Sequence, residues 1–383
     1  MRTFQHLESG LRLFHGDDSL EMLARELART GSRRAVLVCG RTMANDAPSM
    51  QLLRAALKGR CAGVFDGVVA HSPIPAVTAC AQALARMQAD AVIVAGGGSA
   101  IVTARAATIL LAEGKDAHAL CTRRGADGRI DSPRLLAPKL PQFVVPTTPT
   151  TACVKAGSAV FDPDTGARLA LFDPKTRAQS VFIHPRFALS APAALVASAG
   201  LNALAMAVEG LESARGDPLS DAALMHALRL LAANLPRLAG APDDAVLRGE
   251  LMLAAVLCGQ GTDHAGGGLA SVLGHAIGAR FQVDNGLANA IVQPHTLRFN
   301  ATHTAGTLPK VAAALSVPAS MAIPAVEQLL ASMNLPLHLR TIGVPPEALP
   351  AIAQAAMDDW FLRSNPRPVD GVTDLLTLLE AAW

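Results

Sequence analysis

Hydrophobic residues change their rhythm part-way along the chain. In the first half, short apolar runs alternate with stretches of helical period. Arg34 to Cys39 (RAVLVC), Gly63 to Val69, Ala91 to Ala95 (AVIVA) and Gln142 to Pro146 (QFVVP) read as strands. Ser49 to Leu57, Val77 to Ala89 and Ile101 to Glu113 read as the helices between them. Strands and helices alternating at this spacing predict a parallel α/β sheet of Rossmann-like type. From about Ala191 the chain becomes rich in Ala and Leu with helical periodicity, and prolines 192, 218, 236, 309, 336, 345 and 366 punctuate it into helices. The expected architecture is therefore an α/β N-terminal domain over residues 1–188 and an all-α C-terminal domain over residues 189–383.

A length of 383 residues fits two cores better than one. Hydrophobic residues make up 51% and charged residues 17%, a balance that excludes extended disorder. The net charge of +2 gives no reason to expect nucleic acid or an acidic membrane surface as a partner. The six cysteines show no CxxC or Cys/His ligand spacing and read as reduced thiols of a cytoplasmic protein. The opening MRTFQHLESGLRLFHG has no long apolar core, so no secretory leader is expected there. Ala91 to Ala112 is apolar enough to suggest a membrane span, but Gly96, Gly97, Gly98 and Arg105 interrupt it, and a buried strand followed by a helix explains it better.

Two loops carry candidate binding chemistry. Gly96, Gly97, Gly98 and Ser99 join a buried strand to a helix N-terminus, where backbone N–H groups and the positive end of the helix dipole favour a phosphate. The same layout also suits a tight turn without a ligand, and it is not the GxGxxG pattern. After the strand at 142–146, Thr147, Thr148, Thr150 and Thr151 place hydroxyls where parallel sheets commonly meet ligands, although capping threonines in a solvated loop have the same composition. In the second half, Asn202 and Met206 share one helix face with Glu209 a turn further on, and Ser271 and His275 share another. Taken alone, His275 reads equally as a hydrogen-bonded core histidine.

Read together, GGGSAIVTARAA, PTTPTTA, GLNALAMAVEG and HAIGARFQVDNGLANAIVQPHTLRFN resemble the iron-containing (group III) alcohol dehydrogenase superfamily over nearly the whole chain. VFDGVVAHSPI, the Asn in SAGLNALAMAVE and NPRPV at Asn365 to Val369 resemble its maleylacetate-reductase branch. The resemblance implies a dehydroquinate-synthase-like two-domain fold, NADPH or NADH as cofactor, and a homodimer. Gly96 to Ser99 would then hold the diphosphate, and Thr147, Thr148 and Thr151 would line the cofactor. Metal-dependent members hold their ion with one Asp and three His, and those positions here are Asn202, Met206, Ser271 and Asn285. Neutral amides, a thioether and a hydroxyl are poor ligands for Fe²⁺ or Zn²⁺, so no metal is expected.

The expected function is thus a metal-independent NAD(P)H-dependent reductase of an oxo acid, enoyl acid or aldehyde, a small-molecule substrate. His275 would act as proton donor and oxyanion stabiliser and His264 as a second proton donor. Lys155, Arg280 or Arg298 would hold a substrate carboxylate. After the first major strand, Cys39-Gly40-Arg41 offers no carboxylate against a 2′-phosphate, so Gly40 and Arg41 are expected to accept NADPH. Two alternatives remain open. One is a metal-dependent alcohol dehydrogenase with His264, His275 and Asp284 as ligands; the other is an inactive cofactor-binding homologue.

Overall fold

Apolar β-branched runs bury both of their faces, and here they assemble one parallel sheet. The computed structural model describes residues 4–7, 10–124, 130–281 and 283–383. Strands β1 (Leu13–His15), β2 (Ala35–Val38), β3 (Cys61–Phe65) and β4 (Ala91–Gly96) are followed by two minor pieces, β5 (Arg123–Arg124) and β6 (Ile130–Asp131), which pair with each other. Then come β7 (Gln142–Pro146), a hairpin of β8 (Gly157–Phe161) and β9 (Arg168–Phe172), and β10 (Ala178–Ile183). The six-stranded sheet has the order β1-β10-β7-β4-β2-β3. Its helices are α1 (Leu23–Arg29), α2 (Arg41–Asn45), α3 (Ala47–Leu57), α4 (Ile74–Arg86), α5 (Gly98–Glu113), α6 (Ala117–Leu120) and α7 (Pro185–Leu189).

The expected strands at 34–39, 91–95 and 142–146 are present to within a residue, and that at 63–69 lies earlier, over Cys61–Phe65. Gly67 ends it by turning back into a bridge with Gly40. The sheet also takes in β1 and β10, which periodicity alone did not mark. β10 is a central strand between β1 and β7, and Gln179 and Ser180 interrupt the apolar pattern of its AQSVFI sequence, so only its pairing reveals it. Ala91 to Ala112 resolves into β4 and α5.

The remaining helices are α8 (Ala193–Glu212), α9 (Pro218–Asn234), α10 (Ala245–Ala265), α11 (Leu269–Phe281) and α12 (Asn285–Asn300), then α13 (Leu308–Ala314), α14 (Ala322–Ala331), α15 (Leu349–Ala356) and α16 (Val372–Ala382). Pro218 and Pro309 sit in the first turns of α9 and α13, where a missing N–H costs nothing. The chain divides into two compact units, Ser9–Ala191 and Met1–Glu8 with Pro192–Trp383. In the helical unit α11, α12, α15 and α16 share one apolar core that includes Leu269, Leu273, Ile291, Ile352 and Leu379. At the start of α12, a Cβ on Gly286 would stand 1.8 Å from the Ser198 carbonyl, so α8 and α12 meet backbone to backbone. That approach fixes the two helices that carry Asn202 and Asn285.

In the sheet unit, the arginine that interrupts the apolar run of α5 is a strut. Arg105 is fully buried and donates to the carbonyls of Ala152 and Gly157, at 2.5 and 2.8 Å. It ties α5 to both ends of the turn that follows the threonine loop. Arg105→Met, which nearly keeps the volume but takes the guanidinium donors from the Ala152 and Gly157 carbonyls, is expected to lower the unfolding free energy by about 1–3 kcal/mol. A urea titration checks this; an unchanged midpoint would refute the strut.

Candidate active site

The strand order reverses direction between β2 and β4, and parallel sheets bind ligands outside the carboxyl ends of strands at such a point. β4 pairs with β7 up to Gly96 opposite Pro146, so the glycine loop and the threonine loop leave the sheet together, and Thr147 N donates to Gly96 O at 3.1 Å. Gly97 is the N-cap of α5. A Cβ there would lie 2.9 Å from Thr148 Oγ1, and one on Gly98 would lie 3.2 Å from Thr150 Oγ1, so the two loops come this close only because both positions lack side chains. Thr147, Thr148 and Thr151 are buried. Thr150 is a cap, accepting from Ala152 N at 3.3 Å. Ser99 Oγ accepts from His71 N at 3.1 Å, which fixes the β3–α4 connection against the glycine loop. Gly40 caps α2, and Arg41 is exposed beside it. Asp66, at the end of the neighbouring β3, is close enough to help burial push the Cys39 thiol up to about 11. A carboxylate is therefore present at this corner, contrary to the reading of Cys39-Gly40-Arg41 alone.

In the helical unit, α8, α11 and α12 place Asn202, Met206, Ser271 and Asn285. Their side chains and neighbours form a polar mesh. Asn202 Nδ2 lies 3.7 Å from Met206 Sδ, and the Asn289 amide lies 3.0 Å from the Asn202 side chain. In the alternative orientation, Asn289 donates to the carbonyls of Ala270 and Asn285, each at 3.0 Å, and its oxygen accepts from the Asn202 amide, whose nitrogen then faces Asn289 instead of Met206. Ser271 donates twice to Glu209, from Oγ to Oε2 at 2.6 Å and from N to Oε1 at 2.7 Å. One turn beyond Ser271, His275 Nδ1 pairs with Asp359 Oδ2 at 2.7 Å. Asp359 Oδ1 accepts from Phe361 N at 2.9 Å, so the carboxylate is held at both oxygens. The rings of Trp360 and Phe361 flank the imidazole, with centroids 6.1 and 5.8 Å away.

Sequence models of two descriptions match the chain: "Iron-containing alcohol dehydrogenase" over residues 11–185, and "Fe-containing alcohol dehydrogenase family, C-terminal" over residues 196–383. The chain belongs to the iron-containing alcohol dehydrogenase family. It is similar to the lactaldehyde reductase of Escherichia coli (strain K12), with 29% identity covering 96% of this chain and 97% of the relative. It is also similar to the maleylacetate reductase of Sphingobium indicum, 28% identical over 96% of this chain and 94% of that protein. The fold matches a solved 1,3-propanediol oxidoreductase at a TM-score of 0.90, with 24% identity and full coverage of both chains. The chain is thus an oxidoreductase of this family.

The family's metal does not fit the donor set present here. The serine hydroxyl spends its proton on Glu209, the Asn202 and Asn289 amides are spent on each other and on backbone carbonyls, and Met206 offers a weak thioether. None brings charge or imidazole to the four positions. The candidate ligand set His264, His275 and Asp284 is not brought together either. His264 stacks on His6, His275 pairs with Asp359, and Asp284 stands at the start of α12. Of the candidate carboxylate holders, Arg298 is paired with Glu327, and Arg280 is exposed at the end of α11. Lys155 is half-buried. Sequence reading missed Asp359, because 84 residues separate it from His275 and nothing in DDWF marks it as a histidine partner.

Two carboxyls are deeply buried in α8. Burial pushes Glu209 up to about 7 against the opposing hydrogen bonds from the Ser271 side chain and the N–H groups of Ser271, Gly268 and Ala270. Glu212 is raised further, by burial and then by the charge of Glu209, against a hydrogen bond from Asn300. The folded state therefore keeps a proton on Glu209 that the unfolded chain releases above its ordinary value of 4.5. The contribution of this group to stability is full below that value and falls as pH rises towards about 7, by about 3 kcal/mol. Glu212 adds to the fall with the same sign. Melting curves from pH 4.5 to 8 are expected to show a declining Tm, and Glu209→Gln is expected to flatten the decline. A Tm that rises with pH, or a slope unchanged in the variant, would contradict this assignment.

Proposed function

We propose that this oxidoreductase is a metal-independent NAD(P)H-dependent reductase of an oxo acid, enoyl acid or aldehyde, with His275 as proton donor and oxyanion stabiliser. The observation that carries the reading is the pair made by Asp359 and His275, one turn beyond a Ser271 hydroxyl that is committed to Glu209. The bound nicotinamide would supply the hydride. The glycine cradle at Gly96, Gly97, Gly98 and Ser99 and the buried hydroxyls of Thr147, Thr148 and Thr151 would hold and orient the dinucleotide. With Nδ1 committed to Asp359, the proton leaves from Nε2. A cationic imidazole, steadied by the carboxylate behind it, would meet the negative charge that develops on the substrate oxygen, the work a Lewis acid does elsewhere. The names of the relatives support lactaldehyde and maleylacetate as the first substrates to try.

NADPH oxidation with these two compounds by chelator-treated protein tests the reading. Activity is expected to survive chelation, and His275→Ala is expected to lower kcat by roughly 100-fold or more. Asp359→Asn, which changes the positioning residue only, is expected to lower kcat and displace the pH profile with little change in KM. Activity lost on chelation and restored by Fe²⁺ or Zn²⁺ would refute metal independence. Arg41 supports acceptance of a 2′-phosphate, and Asp66 opposes it. Arg41→Ala is expected to raise KM for NADPH by about tenfold, a loss of about 1.4 kcal/mol, while leaving KM for NADH nearly unchanged. Equal effects on both cofactors would remove Arg41 from this role.

A further inference from the structure

Away from the four former ligand positions, His6, Asp217 and His264 meet from three distant parts of the sequence: the N-terminal segment, the N-cap of α9 and the last turn of α10. One ligand atom from each lies within 4.8 Å of the other two. His6 Nδ1 lies 3.1 Å from Asp217 Oδ1 and 3.0 Å from Oδ2. Its ring stacks on that of His264 with centroids 3.8 Å apart and planes at 17°. Asp217 is buried, and the side chain of His6 is 15% exposed. Among the described residues this is the one group of three or more His, Cys, Asp or Glu side chains drawn so close together.

We propose that His6, Asp217 and His264 form a structural site for a divalent transition-metal ion of the Zn²⁺ class, which clamps the N-terminal segment to the ends of α9 and α10. Two imidazoles and a carboxylate are the donors such an ion takes, and they leave a position for water. Tetrahedral donors about 2 Å from an ion stand roughly 3.3 Å apart, so the three side chains need to close by about 1.5 Å at most, and the two stacked imidazoles need to rotate out of their parallel stack so that both in-plane nitrogen lone pairs converge on the ion. The carboxylate is already oriented as a ligand should be. Asp217 Oδ1 accepts from Leu219 N at 2.9 Å and Ser220 N at 3.1 Å, which fixes the group from behind. Face-to-face imidazoles repel when both are cationic, whereas a shared divalent ion needs both neutral.

Tag-free protein, stripped with chelator and dialysed, tests the proposal by titration with Zn²⁺ in a calorimeter and with Co²⁺ by visible absorption. One equivalent per chain, micromolar or tighter, is expected, with visible Co²⁺ bands and a Tm raised by Zn²⁺. His6→Ala and His264→Gln, each shown to melt cooperatively without metal, are expected to weaken binding at least tenfold and abolish the Tm rise. Ser271→Ala and Met206→Leu are expected to leave binding unchanged, which separates this site from the four former ligand positions. No stoichiometric binding, or binding indifferent to His6 and His264, would overturn the proposal.

Discussion

A buried carboxylate at a helix N-terminus organises the helical unit. Glu209 projects from α8 into the first turn of α11 and takes the N–H and hydroxyl of Ser271 together with the N–H groups of Gly268 and Ala270. Those are the orphan donors of a helix that begins inside the protein, and without a partner they would cost several kcal/mol. The space for this contact comes from Gly268, where a Cβ would stand 3.1 Å from the Glu209 side chain. The angle at which α11 leaves α8 follows from it, and so does the place of His275 one turn along. Burial keeps the proton on this group at mild acidity, so the anchor also ties fold stability to pH.

Around that anchor, the residues near the four positions that the sequence resemblance pointed to are engaged in structural contacts. Asn202, Asn289 and the carbonyls of Ala270 and Asn285 knit α8, α11 and α12 by neutral hydrogen bonds, and Met206 packs against them. A metal site keeps like-charged or competing ligands together only while the ion is bound. A mesh of amides and hydroxyls has no such requirement and is satisfied at any metal concentration. In the reading proposed above, the polarising work falls to an imidazole backed by a carboxylate, with the rings of Trp360 and Phe361 beside it.

The sheet unit uses a different device. Its two binding loops are brought together by strand pairing, packed through missing Cβ atoms at Gly97 and Gly98, and braced from below by the guanidinium of Arg105. Arg105 first stood out only as a break in an apolar run. A charge in the middle of a buried helix is tolerated when its donors meet carbonyl acceptors, as the guanidinium of Arg105 does.

Local sequence determined the elements whose signal is local. Apolar runs marked β2, β4 and β7 and, two residues out of place, the start of β3; prolines 192, 218 and 309 marked the starts of α8, α9 and α13, and the glycine and threonine loops were visible because they follow β4 and β7 directly. The residue types at 202, 206, 271 and 285 were legible too, because they can be read directly from the chain. What tertiary structure alone decided is whatever depends on pairing across long separations. β10 exists because β1 and β7 flank it, Asp359 reaches His275 across 84 residues, and Asp66 reaches Cys39 across a sheet edge. His264 illustrates the difference most plainly: its neighbours in the chain suggest a proton donor, but the histidine that stacks on it lies near the other end of the molecule's sequence. Periodicity and motifs act over a few turns, whereas a site is a meeting of side chains, and only the packed fold specifies who meets.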